Sequence, residues 1–135
     1  MTADSSDSSA PPALKNAGSK RLRILIVDDD QLLAETLAAL LRLQAYDVRT
    51  AFSGQSAIKI ASEFGPDSLI IDVMMPGMNG LEAASHIRTL LPGCKIFLIT
   101  GLSASTDLVL KSHVLKDGFE LLSKPIDPRD LLARL

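Results

Sequence analysis

The chain is poor in the residues that build disulfides and zinc sites. It has one cysteine, Cys94, and two histidines in 135 residues. No intramolecular disulfide can form, and this usage fits a reducing, cytoplasmic setting. There is no Cys/His cluster of zinc-site spacing. There is no excess of basic charge either. Fourteen Lys and Arg face sixteen Asp and Glu, for a net charge of −2, so no broad basic surface is expected to bind nucleic acid or anionic lipid. No apolar run approaches the ~20 residues of a spanning helix, and no internal repeat occurs. The first twenty residues hold two acids, two prolines and no apolar run. They are expected to be neither a secretory signal nor an Arg-rich transit peptide.

What is present suits one soluble domain. The chain is 47% hydrophobic and 22% charged, enough for a single core and too short for two. Residues 1–20 are rich in Ser, Ala, Asp and Pro, with Leu14 as the one large apolar side chain. They are expected to be a disordered tail, and the folded domain is expected over 21–135.

Five short apolar runs alternate with helix-period segments. Leu22–Val27 is a continuous β-rich run of the kind buried on both faces. Gln31–Gln44 places Leu33, Leu37, Leu40 and Leu41 on one helical stripe. Asp47–Phe52 reads as a second strand. Ser53 caps a helix that runs to Glu63 and stops at Gly65-Pro66. Ser68–Ile71 is a third strand ending at Asp72. Pro76-Gly77 and Asn79-Gly80 read as turn formers before a helix to Leu91. Lys95–Ile99 is a fourth strand, with a helix starting at Ser103 and ending at Gly118. Phe119–Leu122 is a fifth, and Asp127 caps a last helix with Pro128 in its first position. That helix has about two turns, and Leu131, Leu132 and Leu135 read as a stripe cut short. It is the end either of a domain excised from a longer protein or of a short stand-alone one.

Strict βα alternation implies a parallel sheet with helices on both faces. Ligands in such sheets sit beyond the carboxyl ends of the strands. The residues expected there are Asp28, Asp29 and Asp30 after strand one, Asp72 after strand three, Thr100 after strand four and Lys124 after strand five. Two carboxylates ~4 Å apart repel by about 4 kcal/mol at an effective dielectric near 20. Three together are costly unless a cation joins them, and an all-oxygen, partly open site suits Mg²⁺, with Mn²⁺ as the alternative. Lys124 reads either as a solvent-facing lysine at a strand end or as a cation that pairs with Asp72 and then with an added phosphoryl group. Thr100 reads either as a helix N-cap or as a hydroxyl for a phosphoryl oxygen.

Val27-Asp28-Asp29, Asp72 within Leu69-Ile-Ile-Asp72-Val-Met-Met-Pro76-Gly77-Met-Asn-Gly80, Thr100-Gly101 and Lys124-Pro125 together resemble the receiver domain of two-component response regulators. The resemblance covers about Arg21–Leu135. It implies a flavodoxin-like fold with strand order 2-1-3-4-5. It implies that Asp72 accepts a phosphoryl group from a phosphohistidine of a sensor histidine kinase or phosphotransfer protein. By the same match Asp29, Asp72 and the backbone carbonyl of Met74 bind Mg²⁺ directly and Asp28 acts mainly through water. Thr100 and Lys124 hold the phosphoryl oxygens. The activity implied is self-phosphorylation and slow self-dephosphorylation, since the positions flanking the attacking water are the bulky, apolar Met74 and Leu102. The signal is expected to leave by the face of the fourth helix, fifth strand and fifth helix, toward a downstream partner or output domain, with no membrane and no nucleic acid bound directly.

One departure stands out. The family often carries an aromatic three residues before the lysine, and here that position is Leu121. Phe119, two residues earlier, is expected on the same strand face. Asp28-x-Asp30 after a strand also resembles haloacid-dehalogenase-type phosphatases, but Gln31-Leu32 does not continue that motif. A flavodoxin would cradle phosphate with hydroxyls and amides, where three aspartates would repel it. A receiver-like interaction module that is never phosphorylated usually lacks one of the acids or the lysine. His86 and His113 are expected on helix surfaces, and Cys94 as an ordinary thiol.

Overall fold

The computed structural model describes residues 21–101 and 108–135. The expected tail, the helix start at Ser103 and the position of Leu102 lie outside the described residues, as does the side chain of His113. Among the described residues five strands and five helices alternate: β1 Arg23–Val27, α1 Gln31–Leu43, β2 Asp47–Ala51, α2 Gly54–Phe64, β3 Ser68–Asp72, α3 Gly80–Leu90, β4 Lys95–Thr100, α4 Leu108–Asp117, β5 Glu120–Ser123 and α5 Pro128–Arg134. The strands form one parallel sheet in the order β2-β1-β3-β4-β5. This is the 2-1-3-4-5 topology of a flavodoxin-like fold. No helix among the described residues is long and apolar enough to cross a membrane.

Side-chain alternation along the strands feeds two cores. Leu25, Val27, Leu69, Ile71, Ile96 and Leu98 face α2 and α3, meeting Ala57, Ala61, Ala83, Ala84 and Ile87. Ile24, Ile26, Ile70, Phe97 and Ile99 face α1 and α5, meeting Ala34, Leu37, Ala38, Leu41 and Leu131. Every residue of β3 is buried, as expected of a central parallel strand. Small alanines let the helices lie close to the sheet. That corrects the stripe expected for α1: Leu37 and Leu41 are buried, but Leu33 and Leu40 are 37% and 41% exposed, and Ala34 and Ala38 take the inward positions.

The caps follow the sequence closely. Asp30, Ser53, Asn79 and Asp127 each accept a backbone N–H from the first turn of their helices. Gly65 closes α2 in the left-handed conformation, φ 62°, which an L side chain rarely adopts. Asn79-Gly80 is therefore the cap and first residue of α3 rather than a turn pair. The last strand begins one residue later than expected, so Phe119 precedes β5. Leu132 and Leu135 pack partly buried beside Leu131.

Candidate functional site

Four strand ends converge at one edge of the sheet. Val27 and Ile71 pair across β1 and β3, and Asp72 pairs with Ile99 across β3 and β4. Asp28 therefore follows β1 beside the end of β3, where Asp72 sits, and Thr100 ends β4 one residue beyond Asp72's partner. Thr100 pairs with Ser123 of β5, and its carbonyl accepts the Lys124 N–H at 2.9 Å. The ladder itself thus brings two acids, a hydroxyl and a lysine together.

The carboxylates are close. Asp28, Asp29 and Asp72 each offer an oxygen within 4.8 Å of the others. Asp28 and Asp72 are buried at 2% and 3% exposure, Thr100 is buried at 1%, and Asp29 is exposed. Asp72 Oδ1 accepts the Met74 N–H at 2.9 Å, and Oδ2 accepts Lys124 Nζ at 2.9 Å. Asp28 Oδ1 accepts the Asp30 N–H at 2.9 Å. Asp28 Oδ2 is buried without a hydrogen-bond partner among the described residues, and Lys124 Nζ lies 3.8 Å away. That separation permits attraction but no hydrogen bond.

The electrostatics follow from this geometry. Burial raises the pKa of Asp28, the Asp30 amide opposes that shift, and the charge of Asp72 adds to it. Burial also pulls Lys124 down. The hydrogen bond and charge of Asp72, with the charges of Asp28 and Asp29, outweigh it and leave Lys124 raised. A buried carboxylate oxygen with no partner, facing two further carboxylates, is the donor set of a hard divalent cation. Asp28, Asp29 and Asp72 fit such an ion, and it would join charges that otherwise repel.

This geometry makes Asp28 a source of instability when no cation is bound. Asp28→Asn keeps an oxygen for the Asp30 amide and removes the unpartnered charge. In a chelator at neutral pH the variant should gain about 1–2 kcal/mol, seen as a melting temperature higher by about 5 °C or more. A carboxyl whose folded pKa is raised opposes folding only when ionised. The gain should therefore be complete above the raised value and shrink to nothing as pH falls to the ordinary 3.8. A melting temperature that drops at neutral pH would show that the Asp28 charge supports the fold.

The sequence-predicted site residues Asp28, Asp29, Asp72, Thr100 and Lys124 all reach this edge, and Met74 stands beside it through its amide. One expected residue has a further part, and one contributor was not evident from sequence. Asp30 supplies both the α1 cap and the amide that holds Asp28. Gly80, the first residue of α3, lies against the backbone of Asp72: a Cβ there would come 1.8 Å from the Asp72 carbonyl oxygen. A glycine eight residues after an acid, just past a helix cap, was the signal for the second. Phe119 and Leu121 share the core face of the sheet, as expected. Phe119 is 3% exposed, with the Arg88 guanidinium 5.5 Å from its ring centre. His86 is exposed on α3. Cys94 is buried, which pushes its thiol up to about 11 and makes it a poor nucleophile.

Known proteins with this arrangement are numerous. Residues 24–135 match the response regulator receiver domain family. The DNA-binding response regulator MtrA of Mycobacterium tuberculosis is 36% identical over 115 residues, covering 85% of this chain and 49% of that protein. The probable transcriptional regulatory protein TcrX of the same organism is 31% identical over 122 residues, or 90% and 51%. The chain thus spans about half the length of these curated relatives. A CheY-like receiver domain protein from Methanospirillum hungatei superposes with a TM-score of 0.78 at 28% identity, covering 85% of this chain and 90% of that one. A response regulator structure from Chloroflexus aurantiacus superposes at 0.73 with 35% identity, covering 85% and 94%. With strand order, acidic edge and family match in agreement, the chain belongs to the response regulator receiver domain family.

Proposed function

We propose that Asp72 is the phosphoryl acceptor of a two-component or phosphorelay pathway. The observation that carries this reading is its buried carboxylate, bonded to Lys124 at 2.9 Å and grouped with Asp28 and Asp29. A carboxylate oxygen of Asp72 attacks the phosphorus of a phosphohistidine, the N–P bond breaks, and an acyl phosphate forms as the imidazole leaves. Asp29, Asp72 and the Met74 carbonyl, with Asp28 mainly through water, would hold Mg²⁺, which supplies charge neutralisation on the transferring group. Lys124 takes a phosphoryl oxygen in exchange for part of its present bond, and the Thr100 hydroxyl takes another. The test is direct. With Mg²⁺ and acetyl phosphate, the chain should gain one phosphoryl group that survives acid and is lost to base or hydroxylamine. No adduct, or one formed equally well in chelator, would overturn the reading.

The donor's docking face is the outer side of α1. Leu32 and Leu43 are 78% and 80% exposed, and Leu33 and Leu40 lie between them on the same outward arc. This apolar strip starts two residues after the Asp30 cap, beside the acceptor pocket, and runs along the helix away from it. A donor helix that presents its histidine to Asp72 would lie along it. Burying one leucine contributes about 1.5–3 kcal/mol, and 1.4 kcal/mol is tenfold. Leu43→Glu should therefore slow phosphoryl transfer from a histidine kinase or phosphotransfer domain by about tenfold or more. Labelling by acetyl phosphate should persist, because that donor needs no helix face. Equal loss with both donors would remove α1 from the docking surface.

Output is assigned to α4, β5 and α5, because Thr100 and Lys124 lead into those elements. The curated relatives are named as transcriptional or DNA-binding regulators. To this chain we assign the receiving half of such work, with no nucleic acid bound by the receiver itself.

A further inference from the structure

We propose that Met74 is a peroxide-sensitive oxidation site on the rim of the acceptor pocket, and that its sulfoxide shortens the life of phosphorylated Asp72. The second half of this inference rests on the phosphoacceptor reading above. The chain has four methionines, and three of them share one loop. Met75 is 8% exposed in the core, and Met78 is half-buried against the same cluster and close to Gly54. Met74 is 70% exposed. The chain's one thiol, Cys94, is 3% exposed and held protonated, so it competes poorly for an oxidant. Among the described methionines, a water-borne oxidant therefore meets the Met74 thioether first.

Its place makes the oxidation consequential. The Met74 N–H is bonded to Asp72 Oδ1 at 2.9 Å, so its backbone is tied to the acceptor carboxylate. A thioether is a weak hydrogen-bond acceptor. Hydrogen peroxide transfers one oxygen to the sulfur, its O–O bond breaks, and water leaves. The sulfur is oxidised by two electrons and the peroxide is reduced. The product is a polar sulfoxide, restored by methionine sulfoxide reductases. Loss of an acyl phosphate by hydrolysis needs a water that is held in line. The thioether cannot hold one strongly, and a sulfoxide oxygen at the same rim position can. A full general base contributes 10²–10⁴-fold, so a single added acceptor is expected to give about three- to tenfold. Oxidising conditions would thus trim the signal without touching the acceptor.

The experiment uses the whole chain and graded hydrogen peroxide. Fragment-ion mass spectrometry should show Met74 oxidised about tenfold faster than Met75 and ahead of Met78. Oxidation of Met75 or Met78 at the same rate would overturn the site. The chain is then labelled with acetyl phosphate and Mg²⁺, the donor is removed, and loss of the adduct is followed. Peroxide treatment should speed that loss about three- to tenfold, sulfoxide reductase should reverse the change, and in Met74→Leu treated and untreated samples should decay alike. Unchanged decay in a chain fully oxidised at Met74, or peroxide-sped decay persisting in Met74→Leu, would overturn the gating role. If no adduct forms, the phosphoacceptor reading and the gating role fall together, while the oxidation map still decides the site.

Discussion

Asp72→Asn should abolish the phosphoryl adduct that acetyl phosphate and Mg²⁺ form on the wild-type chain. Asparagine keeps the shape of the side chain and an oxygen for the Met74 amide. It loses the anionic oxygen proposed to attack, one of the three grouped carboxylates and the ion pair with Lys124 at once. Asp28 and Asp29 remain within the same 4.8 Å cluster, so the variant also asks whether proximity to the metal is enough. The geometry says it is not, because the hydrogen-bonded lysine sits on Asp72 and Asp28 Oδ2 is 3.8 Å from it. Intact-mass measurement should show no added phosphoryl group. Labelling at the wild-type level would move the acceptor to Asp28 or Asp29.

The same substitution has a second readout in alkaline unfolding. Lys124 has a folded pKa raised above its ordinary 10.5, chiefly through Asp72 once the opposing effect of burial is overcome. A lysine raised on folding contributes stability that is complete below 10.5 and is lost as pH climbs through the raised value. Asp72→Asn should flatten that alkaline loss, whereas the wild type shows it. The lysine is more than a third exposed, so the effect is expected to be small.

Most of the fold is legible because each strand is a short apolar run bounded by turn or capping residues, and parallel strands buried on both faces need no alternation. The acidic edge is legible for the same reason: once β1, β3, β4 and β5 end where the apolar runs end, Asp28, Asp72, Thr100 and Lys124 must meet. What failed depends on tertiary packing. Leucine is more apolar than alanine, so pattern alone turns Leu33 and Leu40 inward. The sheet instead takes Ala34 and Ala38, which permit a closer approach, and leaves a leucine face outside. The exact start of β5 was missed because Phe119 is buried like a strand residue while its backbone still belongs to the turn after Gly118, φ 72°. The contact of Gly80 with Asp72 joins residues on two elements, and no local pattern encodes a distance of that kind.

That contact sets the second large effect, the loss of stability expected in Gly80→Ala. A Cβ at this position would lie 1.8 Å from the Asp72 carbonyl oxygen, 2.6 Å from its carbonyl carbon and 2.9 Å from Val73 Cα. All three are backbone atoms, so no side chain can rotate out of the way. Either α3 lifts from the end of β3 or the Asp72–Val73 segment shifts. Lifting α3 stretches the Gly80 N–H bond to the Val73 carbonyl, now 2.9 Å, and loosens the packing of Ala83, Ala84 and Ile87. Shifting the strand end moves the acceptor away from Lys124 and its fellow carboxylates. Overpacking in a core costs about 1–3 kcal/mol, and a clash against main chain belongs at or above the top of that range. A domain holds only about 5–15 kcal/mol in total, so urea unfolding should move to clearly lower concentration. Gly93→Ala is the matched control, since nothing lies within 4 Å of a Cβ there, and its change should stay within about 0.5 kcal/mol. The fraction of Gly80→Ala that stays folded should also label more slowly with acetyl phosphate, because its acceptor no longer sits where Lys124 and the other aspartates converge. Wild-type unfolding and wild-type labelling in Gly80→Ala would show that α3 and the acceptor strand separate freely, and that the close approach does not position Asp72.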